Sequence, residues 1–115
     1  MQADDVDWAP DGSRLVFQSE NHHQGNNADL YVVNADGSNL TRITHNPPTT
    51  KTRRELSTDP VWAPDGSKIM FVQVSGLGDA SVRHLYTINP DGSGLTLVSD
   101  TFLGEDQPDW GSNQG

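Results

Sequence analysis

The apolar residues of this chain lie in short runs rather than at helical spacing. Two runs, "LVF" at 15–17 and "IMF" at 69–71, are each followed by a longer one, "LYVV" at 30–33 and "LYTI" at 85–88. Segments rich in glycine, proline, asparagine and aspartate separate these runs, which is the pattern of β-strands joined by turns. Apolar residues at consecutive positions indicate strands that are covered on both faces of their sheet. The pattern therefore predicts an ordered all-β chain.

The chain contains an internal repeat. The segment "DWAPDGSRLVF" at 7–17 returns as "VWAPDGSKIMF" at 61–71, which is an offset of 54 residues. The segment "DLYVVNADGSNLTRIT" at 29–44 returns as "HLYTINPDGSGLTLVS" at 84–99, an offset of 55, and "DWG" begins another copy at 109–111. A unit of about 50 residues thus occurs twice and its opening strand a third time, which is the signature of a repeat architecture.

Each unit contains two tight hairpins. In "APDG" at 9–12 and 63–66, proline fixes the second position of a type I turn and aspartate suits the third. Glycine then occupies the left-handed position at Gly12 and Gly66, and again at Gly37 and Gly92 in "NADGS" and "NPDGS". We label the predicted strands A to D in each unit. Their predicted bounds are 5–9 and 59–63 for A, 14–19 and 68–74 for B, 29–34 and 84–89 for C, and 40–44 and 95–99 for D.

These strands predict the blades of a β-propeller. A small four-stranded antiparallel sheet that is covered on both faces has the environment of a blade between its neighbours. A free-standing sandwich would expose one face of each sheet and should alternate more regularly. We expect one domain over 1–115, with blade 1 at about 4–45, blade 2 at about 59–100 and a closing strand at about 106–111.

The blocks "WAPDGSRLVF", "DLYVVNADGSNLTRIT" and "WAPDGSKIMF" resemble the WD-like propeller repeats of the TolB type, with their W-S-P-D-G-K, I-Y-V-M-D and D-G-S motifs. The resemblance covers nearly the whole chain. It implies two blades and a closing strand from a six-bladed propeller, and it favours a periplasmic or extracellular setting. It implies little about activity, because the same repeat occurs in TolB and in the propellers of tricorn-like and prolyl-oligopeptidase-like peptidases. The chain departs from the pattern in its long first B to C loop, in His84 where the first unit has Asp29, and in its truncated third copy.

The charge of the chain narrows the range of partners. Sixteen acidic and seven basic side chains give a formal net charge of −9, which repels phosphate backbones and anionic lipids. We therefore expect no nucleic-acid partner. No apolar run approaches the roughly 20 residues that cross a bilayer, so we expect no membrane insertion, and "MQADDVDW" lacks the features of a secretion signal. The chain has no cysteine and so no disulfide or thiolate metal site.

Two blades cannot close a ring, because propellers use about four to eight. Uncovered sheet faces and edges invite association. We therefore expect either a cyclic homo-oligomer, in which a trimer supplies six blades, or additional blades from a longer parent chain. Three A strands stand against two sets of B, C and D, so in a closed homo-oligomer either 1–9 or 106–111 is displaced or exchanged between copies.

The irregular segments define a predicted long-loop face. The glycine turns lie at one end of each blade, and the connections 20–28, 45–58, 75–83 and 100–106 lie at the other. Loops on a rigid scaffold are the usual place for binding. The candidate binding residues on this face are His22, His23, Asn26, Asn27, Lys51, Arg53, Arg54, Asp79 and Glu105.

Two clusters on this face allow more than one interpretation. His22 and His23 could ligate a transition metal, although neighbouring histidines in a loop rarely face one ion, and an exposed polar loop is favoured. Lys51, Arg53 and Arg54 could anchor a carboxylate, a phosphate or an acidic partner segment, but a solvated linker is favoured. We expect no metal or other cofactor.

Acidic residues and tryptophans recur together near the predicted inner strands. The carboxylates could gather calcium at the mouth of a channel, whereas capping of strands and turns is favoured. The tryptophans could stack on sugars, whereas packing between blades is favoured. These residues are Asp4, Asp5, Asp7, Asp59, Asp106, Asp109, Trp8, Trp62 and Trp110.

Catalytic motifs are absent from the sequence. There is no G-x-S-x-G elbow, no cysteine nucleophile and no glycine-rich phosphate loop that leads into a helix. We therefore predict a non-enzymatic propeller segment that serves as a scaffold for binding a protein or peptide. Two alternatives stay open: the terminal part of a propeller that gates a peptidase, and a lectin-like oligomeric ring that binds sugar between blades.

Overall fold

The computed structural model describes residues 3–21, 27–51, 53–76 and 81–102. Within these ranges the chain consists of strands, turns and extended segments and contains no helix, which confirms the all-β prediction. The strands are β1 (Ala3–Trp8), β2 (Arg14–Asn21), β3 (Asn27–Asn34), β4 (Thr41–Arg42), β5 (Glu55–Trp62), β6 (Ile69–Ser75), β7 (Val82–Ile88) and β8 (Thr96–Phe102). The predicted closing strand at 106–111 lies outside the described residues.

The eight strands form one mixed sheet. Its order is β1-β2-β3-β5-β6-β7-β8, and β4 pairs with β3. We call β1–β4 repeat 1 and β5–β8 repeat 2; sequential strands within each repeat pair antiparallel. The repeats are joined by a parallel pairing of Ala28 in β3 with Leu56 in β5. Each repeat therefore holds the four sequential strands that the turns predicted.

Two predicted loops are shorter in the structure. The β2–β3 ladder continues to the pair Asn21–Asn27, and the β6–β7 ladder continues to Ser75–Val82. The polar side chains at these hairpin ends suggested loops, but their backbone groups remain paired in the ladder. β5 likewise begins at Glu55, inside the predicted linker 45–58.

The glycine turns form as predicted. Gly12 has a φ of 74° and its N–H donates to the Ala9 carbonyl at 2.9 Å. Asp11 accepts hydrogen bonds from the backbone and hydroxyl of Ser13, at 2.9 and 2.7 Å, and these bonds lower the pKa of its carboxyl. The other three turns repeat this geometry, so all four hairpins are fixed by local hydrogen bonds.

The core lies between the two repeats, which pack head to tail. Val16 and Val32 of repeat 1 belong to the same buried cluster as Ile69 and Phe71 of repeat 2. The repeat equivalent of Phe71 is Phe17, which follows Val16 and so lies on the opposite face of its strand. The face of repeat 1 that carries Val16 therefore packs against the face of repeat 2 that carries Phe71. In the repeat these are opposite faces of the four-stranded unit. Both Val16 and Phe17 are buried, as their consecutive apolar positions predicted.

Candidate binding groove between the repeats

A groove of about 430 Å³ lies between the end of repeat 1 and one face of repeat 2. Repeat 1 and the segment after it supply 43–46, and the linker and β5 supply Arg53, Glu55 and Ser57. The repeat 2 sheet supplies the remaining wall, which includes Phe71, Gln73, Ser75, Tyr86 and Leu95. The groove thus combines an apolar frame with a polar lining.

Glu55 is the best-connected acidic group in the groove. Its side chain is 9% exposed, and its Oε1 accepts hydrogen bonds from Gln73 Nε2 at 2.9 Å and Ser75 Oγ at 2.8 Å. Its Oε2 accepts from Arg53 Nε at 2.8 Å. Burial alone would raise the pKa of Glu55, but the bonds from Gln73, Arg53 and Ser75 and the charge of Arg53 outweigh burial and lower it. Glu55 is therefore an ionised carboxylate that accepts hydrogen bonds, rather than a proton donor.

Asn46 connects the linker to both repeats. Its Nδ2 donates to the Ala28 carbonyl at 2.6 Å and to Ser57 Oγ at 3.0 Å. Its Oδ1 accepts from Gln73 Nε2 at 2.9 Å, and Gln73 Oε1 accepts from Ser57 Oγ at 2.6 Å. The same side chains that line the groove therefore hold its walls in place.

A buried aspartate fixes the wall contributed by repeat 1. Asp29 is fully buried and accepts hydrogen bonds from Thr44 Oγ1 at 2.7 Å and from the Asn46 N–H at 2.8 Å. It also forms an ion pair with Arg42, whose side chain is one-third exposed. A buried carboxylate is stable only when it is paired in this way. Asp29 therefore serves to position the segment that enters the groove.

The polar lining is not part of the repeat. Phe71, Tyr86 and Leu95 have Phe17, Tyr31 and Leu40 as their equivalents, so the apolar frame occurs in both units. In contrast, the equivalents of Glu55, Gln73 and Ser75 are Met1, Ser19 and Asn21. Residues that the repeat fold itself requires should recur in both units. The polar set is specific to this groove.

The structure brings one predicted binding residue into the groove. Arg53 lines it with a side chain that is 67% exposed, whereas Lys51 is exposed on the same linker outside the groove. Arg54 is half-buried, and its carbonyl accepts from the Gly76 N–H at 3.0 Å.

Asn27 is fully buried, and its Nδ2 donates to the carbonyls of Asn46 and Pro47 at 3.2 and 2.6 Å, so it supports the linker. The other predicted binding residues lie outside the described residues: His22, His23, Asn26, Asp79 and Glu105.

Sequence reasoning missed the groove residues that lie on strands. Glu55, Ser57 and Ser75 fall within the predicted long-loop segments 45–58 and 75–83 but were not among the candidate binding residues, and Gln73 was placed in a predicted strand. In the structure all four lie in β5 and β6. A signal was present in "IMFVQVS", where Gln73 interrupts an otherwise apolar strand on a face that is covered.

β1 and β5 place two carboxylates together. Asp5 and Asp59 lie at equivalent bulges in β1 and β5, with φ of 50° and 54°. Burial, the charge of Asp5 and a hydrogen bond with Asp5 raise the pKa of Asp59, and Arg83 opposes the shift. Within the described ranges, no group of three or more histidine, cysteine, aspartate or glutamate side chains could hold a metal ion.

No known family model matches this chain. No curated protein matches it either. In the part of the chain that the structure describes, no helix is long and apolar enough to cross a membrane.

Proposed function

We propose that this chain is a non-enzymatic pair of β-propeller blades and that the groove between them binds a peptide segment of a protein partner. The blade assignment is supported by the four-strand repeat and by the head-to-tail packing of the two repeats. The observation that carries the binding proposal is that the polar lining is specific to this groove: Glu55, Gln73 and Ser75 have Met1, Ser19 and Asn21 as their equivalents in repeat 1. The network holds the walls of the groove in place, and the exposed groups at its rim, such as Arg53 on the linker, are candidates for recognition.

The chemistry of the groove favours a peptide with an apolar and an acidic side chain. The exposed Leu95 and the half-buried ring of Tyr86, which stacks on the buried ring of Phe71 with centroids 5.8 Å apart, offer an apolar surface. The guanidinium of Arg53 offers a cation at the rim, next to Lys51, on a molecule whose net charge is −9. The Gln73 carbonyl oxygen and the Ser75 hydroxyl oxygen each keep an acceptor lone pair that suits an N–H of a peptide main chain.

The test begins by panning a random peptide library on the purified protein. The enriched peptides are then titrated against the wild type and against Arg53→Glu, Leu95→Ser and Lys51→Glu. Arg53 and Leu95 are exposed, so these changes leave the core intact. Lys51→Glu is the matched control, because it makes the same charge change two residues away and outside the groove.

We expect the peptides to share an acidic and an apolar residue, and to lose tenfold or more in affinity, about 1.4 kcal/mol, with Arg53→Glu and with Leu95→Ser. Lys51→Glu should weaken binding much less. Equal losses from Arg53→Glu and Lys51→Glu would indicate general charge attraction and would contradict a groove site. A library that yields no specific peptide would contradict the proposal as well.

The alternatives from the sequence remain predictions. Trp62 is buried at 5% exposure, so among the described tryptophans only Trp8 presents a ring on which a sugar could stack. A glycan array would test that alternative. The gating of a peptidase would require a hydrolase partner, and the described residues provide no observation that favours it over peptide binding.

A further inference from the structure

The interface between the repeats contains Trp62 of repeat 2, which contacts two residues of repeat 1. The Trp62 indole N–H of repeat 2 donates to the Asp7 carbonyl of repeat 1 at 3.0 Å. The guanidinium carbon of Arg14 lies 4.9 Å from the centroid of the Trp62 ring. Trp62 is 5% exposed as a result of this packing.

Two glycine turns of repeat 2 also contact repeat 1. A β-carbon added to Gly66 would lie 3.8 Å from Cδ of Pro10. One added to Gly92 would lie 3.4 Å from the carbonyl oxygen of Ile43, which is 2% exposed. Beside the apolar core, the interface thus contains a tryptophan and two glycine turns on one side, and Asp7, Pro10, Arg14 and Ile43 on the other.

The tryptophan-and-glycine half recurs on the outer side of repeat 1, where it is open. Trp8 is the equivalent of Trp62 and is 51% exposed. β-carbons added to Gly12 and Gly37, the equivalents of Gly66 and Gly92, would meet no atom of the described residues within 4 Å. The described part of the chain therefore provides no neighbour for these two turns that corresponds to Pro10 and Ile43 beside Gly66 and Gly92.

The complementary half recurs on the outer side of repeat 2. Pro64, Lys68 and Val98 are the equivalents of Pro10, Arg14 and Ile43. Val98 is 51% exposed, whereas Ile43 is 2% exposed. The turn that contains Pro64 and Lys68 lines a shallow depression of about 330 Å³, at the position where the equivalent turn of repeat 1 receives Trp62.

We propose that these two flanks bind each other in different copies of the chain. Trp8 of one copy packs on the turn of Pro64 and Lys68 in the next, and Gly37 packs on Val98. The cation and the apolar side chain of the internal interface are both retained. The carboxylate of Asp7, which accepts from the Trp62 backbone N–H at 2.8 Å, is replaced by Val61, so the new interface lacks that bond.

Because each copy contributes two different surfaces, the interface is heterologous and closes into a ring when the rotation permits. Propellers have about four to eight blades, so rings of two to four copies are possible, and we expect three. The inference concerns a different surface from the peptide groove. The two proposals can therefore fail independently.

The first experiment measures the mass of the full chain by light scattering over a wide concentration range. Val98→Lys should abolish assembly, because the equivalent position is covered in the internal interface. Leu95→Lys is the control: Leu95 is 57% exposed in repeat 2 and its equivalent Leu40 is 51% exposed, so a neighbouring repeat does not cover this position. Circular dichroism verifies that each variant retains its strands.

The second experiment mixes two variants that are each defective in one flank, Trp8→Lys and Val98→Lys. The mixture contains one intact pair of surfaces, Trp8 on the second variant and Val98 on the first, so it should yield heterodimers that grow no further. In a symmetric interface both copies would use the same surface. Every mixed pair would then contain a damaged surface, and mixing the variants would not restore association.

Three results would overturn the proposal. One is a wild type that stays monomeric at the highest concentration, in which case blades of a longer chain would be the covering partner. The others are equal effects of Val98→Lys and Leu95→Lys, and a failure of the mixed variants to associate. A ring of identical chains together with rescue in the mixture would support it.

Discussion

Replacement of Glu55 by glutamine tests the groove network most directly. The change keeps the size of the side chain and one acceptor oxygen but removes the charge. Gln73 and Ser75 donate to this carboxylate at 2.9 and 2.8 Å. Hydrogen bonds to a charged group contribute about 1.5–3 kcal/mol and neutral ones about 0.5–1.5. Each of these two bonds should therefore weaken by about 1 kcal/mol.

The third bond contributes less. The side chain of Arg53 is 67% exposed, so water screens its attraction to Glu55 and can replace it. We therefore expect a total loss of about 2 kcal/mol, which comes mainly from the neutral donors. With a denaturant slope of about 2 kcal/mol per molar urea, the unfolding midpoint should fall by about 1 M.

The effect should depend on pH in a defined direction. Because the folded state lowers the pKa of Glu55, its charge stabilises the fold above the ordinary value of 4.5. That contribution declines as the pH falls below 4.5 and is lost once the carboxyl is protonated in the folded state too. The free energies of unfolding of the wild type and Glu55→Gln should therefore converge in acid.

Urea titrations followed by circular dichroism, at pH 7 and at several acidic values, provide the measurement. Glu20→Gln is the matched control, since Glu20 is half-exposed in β2 and does not line the groove. If Glu55→Gln costs no more than Glu20→Gln, or if its cost is the same at every pH, the assigned network is wrong.

Three further changes test other parts of the structure, each by urea denaturation. Asp59→Asn should raise the midpoint at pH 7 by relieving burial of charge beside Asp5; since the fold raises the pKa of Asp59, the gain should vanish well below 3.8. In the Val98→Lys background, Trp62→Phe should lower the free energy of unfolding by about 2 kcal/mol, because it loses the hydrogen bond and the cation–π contact. Trp8→Phe should lower it by less than about 0.5 kcal/mol. Equal losses would contradict the difference in burial. Asn46→Ala should cost about 2–4 kcal/mol because it leaves buried partners unpaired in both repeats, and a loss under about 1 would refute its bridging role.

The turns and strands could be predicted because their causes are local. Asp11 and Gly12 together specify a turn. Asp11 accepts two hydrogen bonds from Ser13, and Gly12 adopts the left-handed conformation, so neither needs a distant partner. The consecutive apolar residues Val16 and Phe17 likewise predicted burial on both faces. Local chemistry of this kind can be read directly from the sequence.

The groove could not be predicted because its causes are distant in the chain. Asn46, Ser57 and Gln73 come together only when the linker crosses from one repeat to the next. The bulges at Asp5 and Asp59 also escaped prediction, since aspartate in a left-handed conformation within a strand has no local signal here. The groove itself depends on the parallel contact between the repeats, which no local signal specifies.

If both proposals hold, the residues that do not recur in both repeats determine how many peptides each chain of a ring binds. Each new interface between copies would form a second groove framed by Phe17, Tyr31 and Leu40, the equivalents of Phe71, Tyr86 and Leu95. That groove would have Ser19 in place of Gln73, and it would lack the carboxylate of Glu55. It would also lack a cation for the acidic group of the peptide, because the position after repeat 2 that corresponds to Arg53 is Pro108. A ring should therefore bind one peptide per chain rather than one per blade, and a titration that saturates at two per chain would show that the polar lining does not determine recognition.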